Sequence, residues 1–106
     1  MSESTGHKRA KAKAAGKSGR TEVPISGNRR LDAISAGGRR ATEVERSGTS
    51  QGLEKAAGRL KSSGAKQRVM QVPQKDMSAA AEAMKKVGVA GSVKNMAGTK
   101  RRAVKP

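Results

Sequence analysis

Two short runs in which apolar and polar residues alternate stand back to back near the middle of the chain. They are RRLDAIS (29–35) and RATEVER (40–46), separated by a turn built around Ala36-Gly37-Gly38. Alternating runs of this length on either side of a glycine pair predict a β-hairpin. Ahead of them, TEVPIS (21–26) sets Val23 and Ile25 against Glu22 and Pro24, and Gly27-Asn28 supplies a connecting turn. Proline cannot donate to a ladder, so this run predicts an edge strand, and the three runs together predict an antiparallel meander. Downstream the period lengthens. Leu53, Ala56, Ala57 and Leu60 form one stripe of an amphipathic helix that opens on Thr49 or Ser50 as N-cap and closes at Gly64. QRVMQVP (67–73) predicts a strand. Met77, Ala80, Ala81, Met84 and Val87 then mark a second helix, with Asp76 as N-cap and Gly88 as its stop, and VAGSVKNM (89–96) predicts a last short strand. The order is β-β-β-α-β-α-β, an α/β fold in which helices join the later strands as parallel crossovers.

Strand geometry gives the hairpin chemical interest. Residues two apart share a face, so Glu43 and Glu45 project together, away from Thr42 and Val44. On the partner strand Asp32 shares a face with Arg30 and Ile34, opposite Leu31 and Ala33. Pairing of the two strands would gather three carboxylates in a chain that is otherwise strongly basic.

The chain has 106 residues, with 24 Lys and Arg against 8 Asp and Glu, a net charge of +16. Such a charge calls for a polyanionic partner, and nucleic acid is the commonest in a cell. A membrane surface fits less well, because helices that lie on membranes carry Trp, Phe or Leu on their apolar face and this chain has no aromatic residue. No apolar run is long enough to span a bilayer or to act as a signal segment. Cysteine is absent, which fits a cytoplasmic location and excludes disulfides and thiolate metal sites. The missing aromatics also remove the stacking platforms that single-strand binders use, so a duplex held through its phosphates is the expected partner. Residues 1–20 hold six basic residues and one acidic one, with no apolar residue larger than Ala after Met1, and predict a basic disordered arm. His7, within that arm, reads as a solvated residue. Residues 21–97 form the single α/β domain, and 98–106 a basic tail.

The order of elements, with acidic residues at the second and third strands, resembles the PD-(D/E)xK nuclease superfamily, whose small α/β core recurs in restriction enzymes and Holliday-junction resolvases. The family motif places Asp on the second core strand and Glu-x-Lys on the third. Asp32 matches the Asp and Glu43 the Glu, while Glu45 stands where the family has Lys. Some restriction enzymes of the superfamily also carry Glu-x-Glu there. The resemblance implies a restriction-endonuclease-like core and a metal-dependent endonuclease or junction resolvase acting on duplex or branched DNA. It implies Asp32 and Glu43 as ligands of Mg²⁺ or Mn²⁺, and Glu45 as a further ligand or as the base that orients water. Cutting both strands of a duplex would call for a homodimer. Lys8, Arg9, Lys11, Lys13, Lys17, Arg20, Arg30, Arg39, Arg40, Arg46, Lys100, Arg101 and Arg102 are the candidates for holding backbone phosphates without reading sequence. The alternative is a basic nucleic-acid-binding protein, for duplex DNA or structured RNA, that uses the same core only as a scaffold.

Overall fold

The computed structural model describes residues 5–16, 19–25 and 29–105. It contains three α-helices and one six-stranded mixed sheet whose strands lie in chain order. Helix α1 (Thr5–Ala15) comes first, then strands β1 (Arg20–Ile25), β2 (Arg29–Ile34) and β3 (Arg40–Val44). Helix α2 (Ser50–Ser62), strand β4 (Gln67–Val72), helix α3 (Met77–Val87) and strands β5 (Gly91–Asn95) and β6 (Arg101–Val104) follow. The meander β1–β2–β3 is antiparallel, β3–β4 and β4–β5 are parallel through the two helical crossovers, and β6 returns antiparallel.

Local sequence explains most of these boundaries. Gly37 and Gly38 adopt φ of 75° and 71°, conformations that side chains resist, and so fold the chain back between β2 and β3. Thr49 caps α2 by accepting the Gly52 N–H at 3.1 Å. Gly64 (φ 72°) and Gly88 (φ 84°) terminate the two crossover helices in the left-handed conformation. Asp76 is the N-cap residue of α3, as expected, although its side chain makes no capping hydrogen bond.

The apolar stripes of α2 and α3 close over one face of the sheet. Leu53, Ala56, Ala57 and Leu60 meet Ala80, Ala81 and Met84, and both sets pack on Leu31, Ala41, Met70, Val72, Val93 and Val104. With no aromatic ring available, alanine lets the helices approach closely while Leu and Met supply the volume. Met70 and Val93 are register partners on that face; the next pair, Gln71 and Lys94, therefore points to the other face, where α1 lies.

The chain departs from expectation at both ends. Residues 5–15, expected within a disordered arm, form a helix packed against β1, β2 and β3, with Lys11 and Ala15 buried. Arg101–Val104, expected as part of a tail, form β6, whose Val104 joins the core. The fold thus runs beyond the expected 21–97 at each end. The expected turn at Gly27-Asn28 falls outside the described residues.

Candidate functional site: an acidic pair where two strands part

The ladder between β2 and β3 is short. It pairs Ala33 with Thr42 and Ile34 with Ala41, and then regular pairing stops. Where the next pair would fall, carboxylates take the place of backbone carbonyls. Glu43 Oε2 accepts the Asp32 N–H at 2.7 Å, and Asp32 Oδ2 accepts the Val44 N–H at 2.8 Å. Each acid thus satisfies a backbone donor on the opposite strand, and the strands can part without leaving buried N–H groups orphaned.

The distortion has a backbone signature. Glu22, which falls between the β1–β2 pairs Thr21–Ala33 and Val23–Leu31, has φ 52°, an uncommon value for a residue other than glycine. Leu31 and Ile34 both pack on the core beneath α2 and α3, although a regular strand would turn residues three apart to opposite faces. Strict alternation therefore breaks between them, and the expectation that Asp32 shares a face with Ile34 opposite Leu31 is corrected. Asp32 turns toward α1. Its Oδ1 lies 3.9 Å from Lys11 Nζ and its Oδ2 lies 3.6 Å from His7 Nε2. Glu43, in register with Met70, turns toward α2, where Arg59 Nε donates to its Oε1. The two acids meet in the sheet plane with one helix behind each.

Burial sets their electrostatics. Glu43 is only 1% exposed. Desolvation, with the adjacent Asp32 charge second, pushes its carboxyl up to about 8, although Arg59 and the Asp32 N–H pull the other way. Burial likewise raises Asp32 above the ordinary carboxylate range, against the Val44 N–H and the His7 and Lys11 charges. On the other side of the pair, Arg59 is held more firmly protonated, because Glu43, Asp32 and Glu45 together outweigh its own desolvation.

The remaining expected site residues fall in three places. Glu45 stays out of the pair: its Oε1 accepts the Ser47 N–H at 3.1 Å in the loop leading into α2, although its charge still reaches Arg59. Lys11, expected among the phosphate-binding residues, is 3% exposed and lies 3.1 Å from Glu22 Oε1, so it serves the acidic pair instead. His7, read as solvated, is drawn to Asp32 by the same helix. Lys8, Arg9, Lys13, Arg20, Arg30, Arg39, Arg46, Lys100, Arg101 and Arg102 are exposed; Arg40 is half-buried, with its Nε bonded to Gln67. Lys17 lies outside the described residues.

The sequence reading missed Arg59 and the buried role of Lys11. A signal existed for the second: His7, Lys11 and Ala15 recur every four residues, the spacing of one helix face. For Arg59 none existed, because its position on α2 gains meaning only once the crossover is folded.

Two carboxylates suit a hard divalent ion, which takes one or two of them alongside water and phosphate. Three of the four carboxylate oxygens already accept an N–H, and each retains a second lone pair. A desolvated acid pair with raised pKa values gains more from a cation than an exposed pair does. Among the described residues no group of three or more His, Asp or Glu side chains is arranged to hold an ion, so the protein's contribution would be the pair alone. Nor is any described helix long and apolar enough to cross a membrane. No family model, curated protein or solved structure matches this chain.

Proposed function

We propose that this chain is a metal-dependent endonuclease or junction resolvase that hydrolyses phosphodiester bonds in duplex or branched DNA. The observation that carries this reading is the reciprocal bonding of Asp32 and Glu43 at the parting of β2 and β3. The surrounding order of elements supports it, since a three-stranded meander followed by helix and parallel strand is the framework of the restriction-endonuclease-like core. So does the charge of +16, which favours a polyanionic substrate.

On this reading Asp32 and Glu43 would hold Mg²⁺ or Mn²⁺. When bound, such an ion neutralises charge on the scissile phosphate and lowers the pKa of a coordinated water. Arg59 fixes the rotamer of Glu43 and offsets its charge before substrate arrives. Lys11 stands beside Asp32 and Glu22, the one buried ammonium at the pair, and so occupies the electrostatic role that the family gives to the motif lysine, which Glu45 replaces here. A second copy of the chain would be needed to cut both strands symmetrically.

The test is cleavage of branched and linear duplexes with Mg²⁺, Mn²⁺ or EDTA, with wild type beside Asp32→Asn. Metal-dependent cutting by wild type alone supports the reading. A second reading, a nucleic-acid-binding scaffold without chemistry, is favoured by the internal pairing of Glu43 with Arg59 and of Asp32 with Lys11, since acids neutralised by their own protein can be purely structural. It predicts tight binding and no cutting with any metal.

A further inference from the structure

On the face of the sheet opposite α2 and α3, a pocket of about 430 Å³ opens between α1 and the carboxyl ends of β3, β4 and β5. In open α/β sheets this end of the parallel strands is where ligands settle. Four cations line it: Arg9 and Lys13 from α1, Arg46 just past β3, and Lys94 from β5. Among the described residues that line it there is no Asp or Glu. Gln71, buried in β4, donates to the carbonyls of Asn95 (3.2 Å) and Met96 (3.0 Å) and so fixes the wall that follows β5. At the α1 side Gly6 gives room to Arg46: a methyl group there would come within 2.9 Å of its guanidinium.

Lys94 is the unusual member. Burial, followed by the charges of Arg101, Arg40 and Lys13, depresses its ammonium below the ordinary lysine range. The two fully buried charged residues among those described, Lys11 and Glu43, each face an opposite charge, Glu22 and Arg59. At Lys94 the neighbouring charges that act on it are all cations. An anion placed among these cations would relieve their repulsion.

We infer that this pocket is a phosphate subsite that holds a backbone phosphodiester of a bound nucleic acid, with Arg46 and Lys94 as its principal contacts. The inference rests on the nucleic-acid half of the proposed function, not on the chemistry at Asp32 and Glu43. The same helix serves both places: Lys11 faces the acidic pair while Arg9 and Lys13 face the pocket. A lipid headgroup would present the same phosphate chemistry, but the chain has no aromatic residue with which to anchor at an interface. Arg40, Arg68 and Arg101 line a second cleft at the amino ends of β3, β4 and β5, so basic residues stand at both ends of the parallel strands.

The test is binding of a fluorescein-labelled duplex by anisotropy in EDTA over a range of KCl, for wild type, Arg46→Gln/Lys94→Gln and Lys85→Gln/Lys86→Gln. The last two variants lose equal charge, but Lys85 and Lys86 lie on α3, on the opposite face. The pocket variant should bind about tenfold more weakly or worse, and its slope of log K against log salt should fall by one to two phosphate contacts, about 0.9 per contact. The α3 variant should change by much less. Equal losses in the two variants overturn the inference, because net charge alone would then explain binding. A saturable pyrophosphate-induced shift of the pocket resonances combined with undiminished duplex binding by the pocket variant also overturns it, in favour of a free-phosphate site. Arg46→Gln alone, on an exposed side chain, repeats the comparison if the double variant's circular dichroism departs from wild type. Failure to cut DNA with any metal, alongside the expected binding result, removes the nuclease reading and leaves this one standing.

Discussion

At the parting of β2 and β3, Asp32 and Glu43 are desolvated beside cations delivered by two different helices; at the end of β5, Lys94 is desolvated beside Lys13, Arg40 and Arg101. The first arrangement is closed. Arg59, Lys11 and two backbone N–H groups answer the acids within the protein. The second is open, with like charges held together by the fold against their repulsion. Charge that the chain compensates itself is free to serve structure, catalysis or both. Charge left uncompensated in a concave place points outward to a partner. The contrast also separates two experimental handles, because the acidic pair can be altered without touching the pocket.

The largest effect is expected from that separation. If the pair performs hydrolysis, Asp32→Asn should lower the cleavage rate by about 10²-fold or more, the scale of losing a group that acts in the transition state. Affinity for uncleaved duplex in EDTA should not fall, and removing one acid from the surface seen by DNA should raise it slightly. Equal loss of cutting and binding would show that the pair supports the fold and not the chemistry.

Next in size is the pH dependence of the metal-free protein. Glu43 titrates near 4.5 when unfolded and about 8 when folded. Its folded form therefore holds the proton more tightly, and the stability it contributes is complete below pH 4.5 and is lost as pH rises toward 8. At about 1.4 kcal/mol per pKa unit the loss amounts to a few kcal/mol across that window. Glu43→Gln should flatten the profile. Urea midpoints of the two proteins in EDTA, taken from pH 4.5 to 8.5, should diverge in favour of the variant as pH rises; parallel curves would mean that Arg59 keeps Glu43 ionised throughout.

A smaller effect is expected at the partner. Arg59→Met leaves one Glu43 oxygen buried without its donor and should destabilise by about 1–3 kcal/mol. For a domain of this size that is a fall in Tm of about 4–8 °C per kcal/mol. Adding Glu43→Gln should recover part of the loss, since the pair is then dismantled on both sides. A double variant less stable than either single one would locate the effect in packing around the Arg59 stem.

Much of this contrast's framework was legible from residue order. The hairpin, the two crossover helices and their glycine stops follow from periods of two and 3.6, because burial of Leu53, Leu60, Met70 and Met84 enforces those periods in three dimensions. The candidacy of Asp32 and Glu43 was legible because Asp is unusual between Leu31 and Ala33 in a strand. Helix α1 was hidden for the opposite reason. Its buried face consists of alanine and Lys11, and a lysine whose burial depends on Glu22 and Asp32 cannot be told from a surface lysine until the sheet exists. The kink that turns Asp32 toward α1 was equally hidden, since alternation assumes a regular strand and the carboxylates themselves interrupt it. The cationic pocket could not be read from the chain either. Arg9, Lys13, Arg46 and Lys94 are spread over more than eighty residues of similar composition, and only α1 lying across the sheet selects these four from 24 basic residues.

The smallest effect probes the open arrangement alone. Lys94 has its folded pKa depressed, so below that value its protonated form opposes folding. Lys94→Met keeps the aliphatic stem and removes the charge. Because the group is partly solvated, the gain should be modest, about 0.5 kcal/mol at low ionic strength, and should shrink toward zero as salt screens Lys13, Arg40 and Arg101. Duplex DNA should reverse the order. Wild type, with Lys94 available to a phosphate, should gain more from saturating ligand than the variant does, since stabilisation by a ligand grows with its affinity. Thermal melts at low and high salt, each with and without a non-cleavable duplex in EDTA, read all four conditions. If the variant is less stable in low salt without DNA, then Lys94 is held by contacts within the protein, and the pocket is as closed as the acidic pair.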